Sequence, residues 1–376
     1  MYQKAVRIQT FVCGLLFSIF SFVYLFVFQR DVLEALHFSL AQGKTHFSPM
    51  ASALVMTLTL LLLSWGVNAL VSFKGKYRSL TYVPAFLVLM AISDIKRDVY
   101  INSGNAMWLW LLPILLVVFL GIAFWCKKTL HVKLDTDATF TKLMGSNLFF
   151  LLIGCVTTLN MGNANANFHH ELEAERYLRE QDCALALRVG ERSYDASQTL
   201  TALRALAMSK SGQLGERLFT YPQYYGANGL FFPEDSLMTL RYTNDSIYDH
   251  LGARPYNGEG KLNYLHTLCY EDKGKHTALH YYLSALLLKK QVDSFAKAVE
   301  DFFEPGDTMP THFKEAILIH QTNHPDYPFA TTDSTLLQKY EAYKHRQSGL
   351  QRGKEEKNQM RREYGNTYWW YYDYQK

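Results

Sequence analysis

The chain has 376 residues, enough for two domains, and its 49% hydrophobic and 19% charged residues are typical of a soluble protein. That average hides a division at Asn163. Residues 1–163 carry 13 Lys and Arg against 6 Asp and Glu, with long uncharged apolar runs, which indicates a multi-pass membrane domain. Residues 164–376 carry 25 basic against 28 acidic residues, and this balance argues against a nucleic-acid-binding domain.

Five apolar runs predict five membrane-spanning helices, at residues 8–28, 50–73, 80–95, 107–125 and 146–163. Four of them have the length of about 17–25 residues that a helix needs to cross the hydrocarbon core. The run at 80–95 is shorter, contains Pro84 and ends at Asp94, so it is the weakest of the five. Because no small-residue cleavage pattern follows the first run, we expect it to remain as a signal anchor.

The connector at residues 31–49 fits two interpretations. Its apolar residues crowd one broad face if the segment is helical, which predicts a short amphipathic helix lying on the membrane surface. A polar loop fits equally well.

The distribution of basic residues predicts the orientation. The amino terminus and the second and fourth connectors together carry nine Lys and Arg, whereas the first and third connectors carry four. The positive-inside rule therefore places the amino terminus in the cytoplasm. Five spans put residues 164–376 outside the cytoplasm, and they would lie in the cytoplasm if the run at 80–95 did not cross.

Residues 164–376 predict an all-α domain. Apolar periodicity predicts short helices at 168–181, 184–192, 199–209, 213–219, 277–289, 292–303 and 312–320, and one polar helix at 336–362. Residues 221–262 are rich in Gly and Pro and predict an irregular insert, with a loop at 229–233 and a short helix at 245–252. Short helices with polar connectors are typical of a helix-pair repeat, whose stacked units present a concave binding surface.

Three segments carry a resemblance to a known family: ALRALAMSKSGQLGERLFTYPQ at 202–223, ALHYYLSALLLKKQVDSFAKAVEDFF at 278–303 and HFKEAILIH at 312–320. The chain resembles an uncharacterised family of Bacteroidetes multi-pass membrane proteins with a tetratricopeptide-like carboxy-terminal domain. The resemblance implies a bacterial membrane protein and no known activity. Together with the orientation predicted above, it leads us to expect an inner-membrane location with the carboxy-terminal domain in the periplasm. The tetratricopeptide consensus of about 34 residues is not met, so the likeness concerns helix-pair architecture.

The sequence predicts no catalytic, cofactor-binding or metal-binding residue and no cofactor. His276 and His280 have the spacing of a zinc-protease helix, but Thr277 stands where that motif needs its Glu base, so we interpret them as two helical histidines. His320 and His324 share the spacing, but Pro325 predicts that the helix ends between them.

Two further features concern the residues after Asn163. Cys183 and Cys269 are the two cysteines there, and they fit either a disulfide or two free thiols. The terminal segment TYWWYYDY at 367–374 is too apolar to stay exposed, so we expect it to dock on its own domain, on a partner or at the bilayer. A packed or partner-facing aromatic surface is predicted from Tyr221, Tyr224, Tyr225, Tyr368, Trp369 and Trp370.

These features predict a membrane-anchored scaffold. Its helical domain would bind another protein of the cell envelope, and its spans would contact the lipid bilayer. The alternative is a membrane enzyme or transporter component that acts on an envelope lipid, a glycan or a small solute. Ionisable residues converging at the external ends of the spans would favour the alternative.

Overall fold

The computed structural model describes residues 2–97, 99, 106–129, 140–191, 193, 195–234, 241–329, 331, 333–349 and 353–375. The described residues fall into two compact units, the first reaching to Leu172 and the second beginning at Glu173. Every regular element in these residues is a helix, which confirms the predicted all-α fold class.

Up to Met161 the described residues form six α-helices: α1 Tyr2–Val23, α2 Arg30–Ala41, α3 Pro49–Val71, α4 Val83–Ser93, α5 Ala106–Thr129 and α6 Phe140–Met161. A π-helical turn, Tyr24–Phe28, extends α1. Four segments are long and apolar enough to cross a membrane: Lys4–Phe28, Pro49–Val71, Met107–Trp125 and Phe140–Met161. They coincide with four of the five predicted spans, and the last begins at Phe140 rather than at residue 146.

The fifth predicted span, residues 80–95, is not a helix of membrane length. A 3-10 helix, Gly75–Tyr82, leads into α4, which has only 11 residues. Neighbouring helices bury α4, and Ala85 and Leu89 are fully covered. The apolar side chains of this run therefore pack against neighbouring helices rather than against lipid. For this reason α4 does not need the length of a lipid-facing span.

The segment from Gly75 to α4 runs beside α6 in the same direction. Near the beginning of α6, the side-chain amide of Asn147 donates to the carbonyl oxygen of Gly75 at 3.0 Å. The Oδ1 atom of Asn147 accepts the backbone N–H of Ser79 at 2.8 Å. One buried amide thus fixes the start of the 3-10 helix against α6.

The contact continues to the other end of α6. In the middle, Gly154 lies so close to Phe86 that a Cβ at this position would be 2.3 Å from the ring. At the end, the backbone N–H of Asn163 donates to the Ser93 carbonyl oxygen at 2.9 Å, and the Asn163 side-chain amide donates to the Ile95 carbonyl oxygen. The segment from Gly75 to Ile95 therefore packs along α6 from Asn147 to Asn163.

Helix α1 is parallel to this pair. Gly14, just past the middle of α1, lies beside Tyr82 at the start of α4, since a Cβ on Gly14 would be 3.4 Å from the Tyr82 hydroxyl. Gln29, just beyond the π-helical turn, donates from Nε2 to the Asn163 carbonyl oxygen at 3.2 Å. Helix α1 therefore runs in the same direction as α4 and α6.

Helices α3 and α5 run in the opposite direction. Trp108, at the start of α5, donates to Asp94 at the end of α4, at 2.8 Å. Phe119, late in α5, contacts Phe73 just after α3, with ring centroids 6.4 Å apart. Because Phe73 directly precedes the 3-10 helix, α3 and α5 both finish at the end where α6 starts. The five segments therefore alternate in direction.

The connector at 31–49, for which helix and loop were both open, contains α2. Its residues Val32, Leu33 and Ala35 are buried. Asp31 lies in the first turn, where a negative charge is favourable.

Beyond Met161 the described residues form twelve α-helices: α7 Ala166–Arg179, α8 Cys183–Arg188, α9 Gln198–Lys210, α10 Leu214–Arg217, α11 Asn244–Leu251, α12 Lys261–Tyr270, α13 His276–Leu288, α14 Val292–Phe302, α15 Thr311–Asn323, α16 Ser334–Ser348, α17 Lys354–Tyr364 and α18 Tyr368–Tyr374. Several begin at a side chain that accepts a backbone N–H of the first turn, as Ser197 does for α9 and Thr367 for α18.

One prediction for this unit was wrong. The single polar helix at 336–362 is two helices, because Gly349 and Gly353, which cost about 1 kcal/mol each in a helix interior, lie between α16 and α17. The insert at 221–262 contains α11 where a short helix was expected, and it also contains the start of α12, which was not predicted.

The second unit is built around α9 and α13. Residues Thr199–Ser209 of α9 are all buried, and so are Tyr281–Leu288 of α13. Helices buried on every side are central. Helix α13 contacts α9, α10, α11, α12 and α14, whereas units of a helical repeat contact only their neighbours. The predicted helix-pair repeat is therefore not confirmed.

A buried carboxyl, Glu175 of α7, holds the chain that precedes α11. It accepts the backbone N–H groups of Arg241 and, at 2.9 Å, of Tyr242. Burial raises the pKa of Glu175 to about 7, although these hydrogen bonds and the charges of Arg179 and Arg241 act to lower it. The folded state therefore binds the Glu175 proton more strongly than the unfolded chain does.

We expect Glu175→Gln to become progressively more stable than the wild type as the pH rises from about 5 to about 8. The contribution of Glu175 is present below the ordinary value of 4.5 and is lost as the pH rises through about 7. Glutamine keeps the acceptor oxygen and does not ionise. Thermal unfolding of the full chain in detergent at several pH values measures the difference.

Glu180→Gln, at a half-exposed glutamate just beyond α7, is the control and should show no such trend. A difference between Glu175→Gln and wild type that shrinks with rising pH would mean that the carboxylate stays ionised in the folded state.

For the first unit, we expect Gly154→Ala to lower the melting temperature of the full chain in detergent. The added methyl group meets the buried ring of Phe86, and overpacking of this kind costs roughly 1–3 kcal/mol. Gly121→Ala in α5 is the matched control, since a Cβ there has no atom within 4 Å. Equal melting temperatures for the two variants would contradict the close contact between α4 and α6.

Candidate functional site

The second unit contains a cavity of about 400 Å³ beside α12 and α13. One wall is the 3-10 turn Gly226–Leu230 and the chain that follows it. Gln198 fixes that wall, because its side-chain amide donates to the carbonyl oxygens of Asn228 at 3.0 Å and Phe231 at 3.3 Å. The volume lies within the range of about 300–1,000 Å³ that small-ligand sites occupy.

Charged groups of both signs line this cavity. Lys261 lies 3.5 Å from a carboxylate oxygen of Glu234 and 5.6 Å from the Phe231 ring centroid. Glu259 is held by the backbone N–H of Tyr256 at 3.0 Å and by the Thr267 hydroxyl at 3.1 Å. A fixed carboxylate, an ammonium group and an aromatic face suit a ligand that carries both charges and an apolar group.

The remaining lining residues are mostly small or apolar. They are Ala227, Asn228, Gly260, Leu262, Asn263, Leu265, Ala285 and Lys289. Sequence analysis missed this site because its residues come from an insert predicted to be irregular and from the unpredicted helix α12. The three-residue spacing of Leu262, Leu265 and Leu268, which places them along one side of a helix, was the available signal.

The terminal aromatic segment is α18, and it packs within the second unit. Tyr368 and Trp369 are completely buried. The backbone N–H of Tyr368 donates to the Glu315 carboxylate at 2.7 Å, and the Trp369 indole donates to the Glu315 carbonyl oxygen at 2.9 Å. Lys290, whose ammonium pKa is lowered by burial, donates to the carbonyl oxygen of Tyr372 at 2.7 Å.

The six predicted surface aromatics differ in exposure. Tyr221 is buried, and its hydroxyl donates to the Leu187 carbonyl oxygen at 3.0 Å. Tyr224 and Tyr225 are 49% and 38% exposed. Arg361 brings Tyr224 and Trp370 together, because its guanidinium lies 5.6 Å from the Trp370 ring centroid and donates to the Tyr224 hydroxyl at 3.4 Å.

The first histidine pair and the two cysteines lie apart from the cavity lining. His276 and His280 both belong to α13, with ring centroids 5.7 Å apart. Burial and the neighbouring His276 lower the pKa of His280, whose ring also packs near Phe313. Cys183 and Cys269 are free thiols.

Ionisable groups meet at the end of α4 in the first unit. Arg97 lies 2.8 Å from a carboxylate oxygen of Glu171, which is fully buried. Asp94 accepts the Trp108 indole N–H in the same region. Arg97 and Asp94 are thus each engaged by another side chain of this unit.

A protein-family model matches most of the chain, over residues 98–254 and 255–375, and describes a family of unknown function, DUF6057. No curated protein and no solved structure matches the chain. The matched residues include α5, α6 and nearly all of the second unit. The chain therefore belongs to the DUF6057 family.

Proposed function

We propose that the protein is a membrane-anchored scaffold of the bacterial cell envelope. It crosses the inner membrane five times and holds its helical domain in the periplasm, where the cavity beside α12 binds a segment of another envelope protein. The alternating direction of five segments in the first unit is the observation that carries this proposal. The resemblance to Bacteroidetes membrane proteins supports the envelope location.

The packing of α4 supports its crossing despite its shortness. The 11 residues of α4 rise only about 16 Å at 1.5 Å per residue, against a hydrocarbon thickness of about 30 Å. The segment from Gly75 to Ile95 nevertheless runs beside α6 from Asn147 to Asn163, and α6 is long and apolar enough to cross. Neighbouring helices, and not lipid, surround α4 in this position. Five crossings then place the two termini on opposite sides.

The charge distribution supports the direction of crossing. Helix α1 begins, and α3 and α5 end, at the same end of the first unit. The amino terminus and the connectors at this end carry nine basic residues, whereas the connectors at the other end carry four basic residues. The positive-inside rule assigns the richer end to the cytoplasm. Residues beyond α6 then lie in the periplasm.

We expect reporters fused after Lys74 and after Lys96 to lie on opposite sides of the membrane. A pair consisting of alkaline phosphatase, active outside the cytoplasm, and a fluorescent protein, active inside, measures this. The Lys74 fusion should be cytoplasmic and the Lys96 fusion periplasmic. A fusion after Lys376 should agree with the Lys96 fusion. Cytoplasmic signals from both the Lys74 and the Lys96 fusion would contradict the proposal of five crossings.

The cavity supports the choice of a polypeptide partner. Its aromatic wall, its carboxylates and its lysines match the mixed charges and apolar side chains of a protein segment. The exposed Tyr224 and Tyr225 offer a second contact surface, since tyrosine is enriched at protein interfaces.

We expect a photo-activated cross-linker at Asn263, which lines the cavity and is exposed, to capture a discrete protein in native membranes. Adding Lys261→Glu should reduce the adduct several-fold, because it places a third carboxylate beside Glu234 and Glu259. A cross-linker at the exposed Glu341 of α16 is the control and should capture nothing. An adduct whose yield Lys261→Glu does not reduce, or one that also forms with the cross-linker at Glu341, would contradict binding in the cavity.

One observation favours the second candidate function, a membrane enzyme or transporter component. Asp94, Arg97 and Glu171 converge at the end of α4, which five crossings place on the periplasmic side. The substitution Arg97→Lys in the same cross-linking strain separates the two candidates. Loss of the protein's cellular role, with its abundance and its Asn263 adduct unchanged, would favour this candidate over the scaffold.

A further inference from the structure

Two histidines and a carboxylate meet at the end of α15. The helix ends at Asn323, as the sequence predicted, and the His324 backbone N–H donates to the His320 carbonyl oxygen at 3.1 Å. The two imidazole rings are stacked, with centroids 4.3 Å apart. The end of the helix thus leaves the histidines side by side.

Asp293, in the first turn of α14, completes the group. Its Oδ1 atom lies 3.1 Å from His320 Nδ1 and 4.0 Å from His324 Nε2. One ligand atom from each of the three residues lies within 4.8 Å of the other two. Among the described residues, these three form the group of histidine, cysteine or carboxylate side chains whose ligand atoms lie close enough together to hold one metal ion.

We propose that Asp293, His320 and His324 form a zinc site that joins the start of α14 to the end of α15. Zinc in proteins is tetrahedral, with bonds of about 2.0–2.2 Å to histidine nitrogen and carboxylate oxygen. Tetrahedral ligand atoms at these bond lengths are about 3.4 Å apart. The distances of 3.1 and 4.0 Å lie on either side of this value, so rotations of exposed side chains are sufficient.

The donor set selects the class of metal. Imidazole suits zinc and its neighbours in the transition series, whereas calcium and magnesium prefer all-oxygen sites. Three protein ligands leave the fourth position to water or to a partner's side chain.

The surroundings hold one ligand and leave the others accessible. The His320 side chain is 10% exposed, and its ring packs edge-on against Tyr327 at 4.8 Å. The Tyr327 hydroxyl donates to the Ala296 carbonyl oxygen at 2.7 Å, which fixes that ring on α14. The side chains of Asp293 and His324 are 87% and 56% exposed, so an ion can enter from solvent.

A plain hydrogen bond between Asp293 and His320 is the competing interpretation, and it needs neither His324 nor an ion. The test uses the full chain without a histidine tag, purified in detergent, stripped with a chelator and titrated with zinc chloride against a zinc-binding dye. We expect one tight zinc per chain. His324→Gln and Asp293→Asn should each weaken binding at least about tenfold, since even the loss of an outer-shell partner costs about 10- to 100-fold.

His276→Gln is the matched control, because it removes an exposed histidine from the other i,i+4 pair, which no carboxylate joins among the residues that the structure describes. It should leave zinc affinity unchanged. Zinc should also raise the melting temperature of wild type and of His276→Gln but not of His324→Gln.

Two results would overturn the proposal. One is wild-type affinity no higher than that of Asp293→Asn and His324→Gln. The other is an equal loss in His276→Gln. Melting temperatures without zinc identify any variant that has lost its fold, and His324→Gln, at an exposed position, serves as the variant least prone to this.

Discussion

The close approach of α4 to α6 at Gly154 is the contact on which the first unit depends. Phe86 lies directly on the α6 backbone there, and its ring also meets Phe17 of α1 edge-on, with centroids 5.1 Å apart. A side chain on Gly154 would push α4 outward and separate three segments at once. The amides of Asn147 and Asn163 satisfy backbone groups at both ends of the same contact, which matters because unpaired backbone groups are costly in hydrocarbon.

The sequence predicts features that depend on a segment's own composition. The four long spans and most helices beyond α6 follow from apolar run length and periodicity. The length of the helix within the run at 80–95 was not predictable, because hydropathy cannot distinguish an interior helix from a lipid-facing one and GKYRSLTY carries no signal of a 3-10 helix. The break between α16 and α17 had a visible signal in Gly349 and Gly353, which the polar periodicity on either side outweighed.

Sites depend on chain segments that meet only in the fold, and here the sequence was less informative. The composition of residues 367–374 predicted that the terminal segment is covered, but it did not indicate by what. The carboxylate of Glu315 accepts the backbone N–H of Tyr368, and its carbonyl oxygen accepts the Trp369 indole N–H. Glu315 lies 53 residues before Tyr368 in the chain. The cavity residues Glu234 and Lys261 lie on either side of α11. Asp293 meets His320 and His324 only because α14 and α15 pack side by side. From the sequence alone the pair was set aside, because Pro325 predicted that the helix ends between the two histidines.

The proposed cavity and the proposed zinc site lie on helices that share neighbours. Helix α14 packs against both α13 and α15, and α13 and the residue that follows it provide Ala285 and Lys289 to the cavity. A ligand that binds only the folded protein stabilises it by mass action, so zinc bound between α14 and α15 would oppose local opening of the helices that support α13. A rigid cavity loses less entropy when it captures a partner segment. Zinc at this site would therefore favour partner binding without touching the partner.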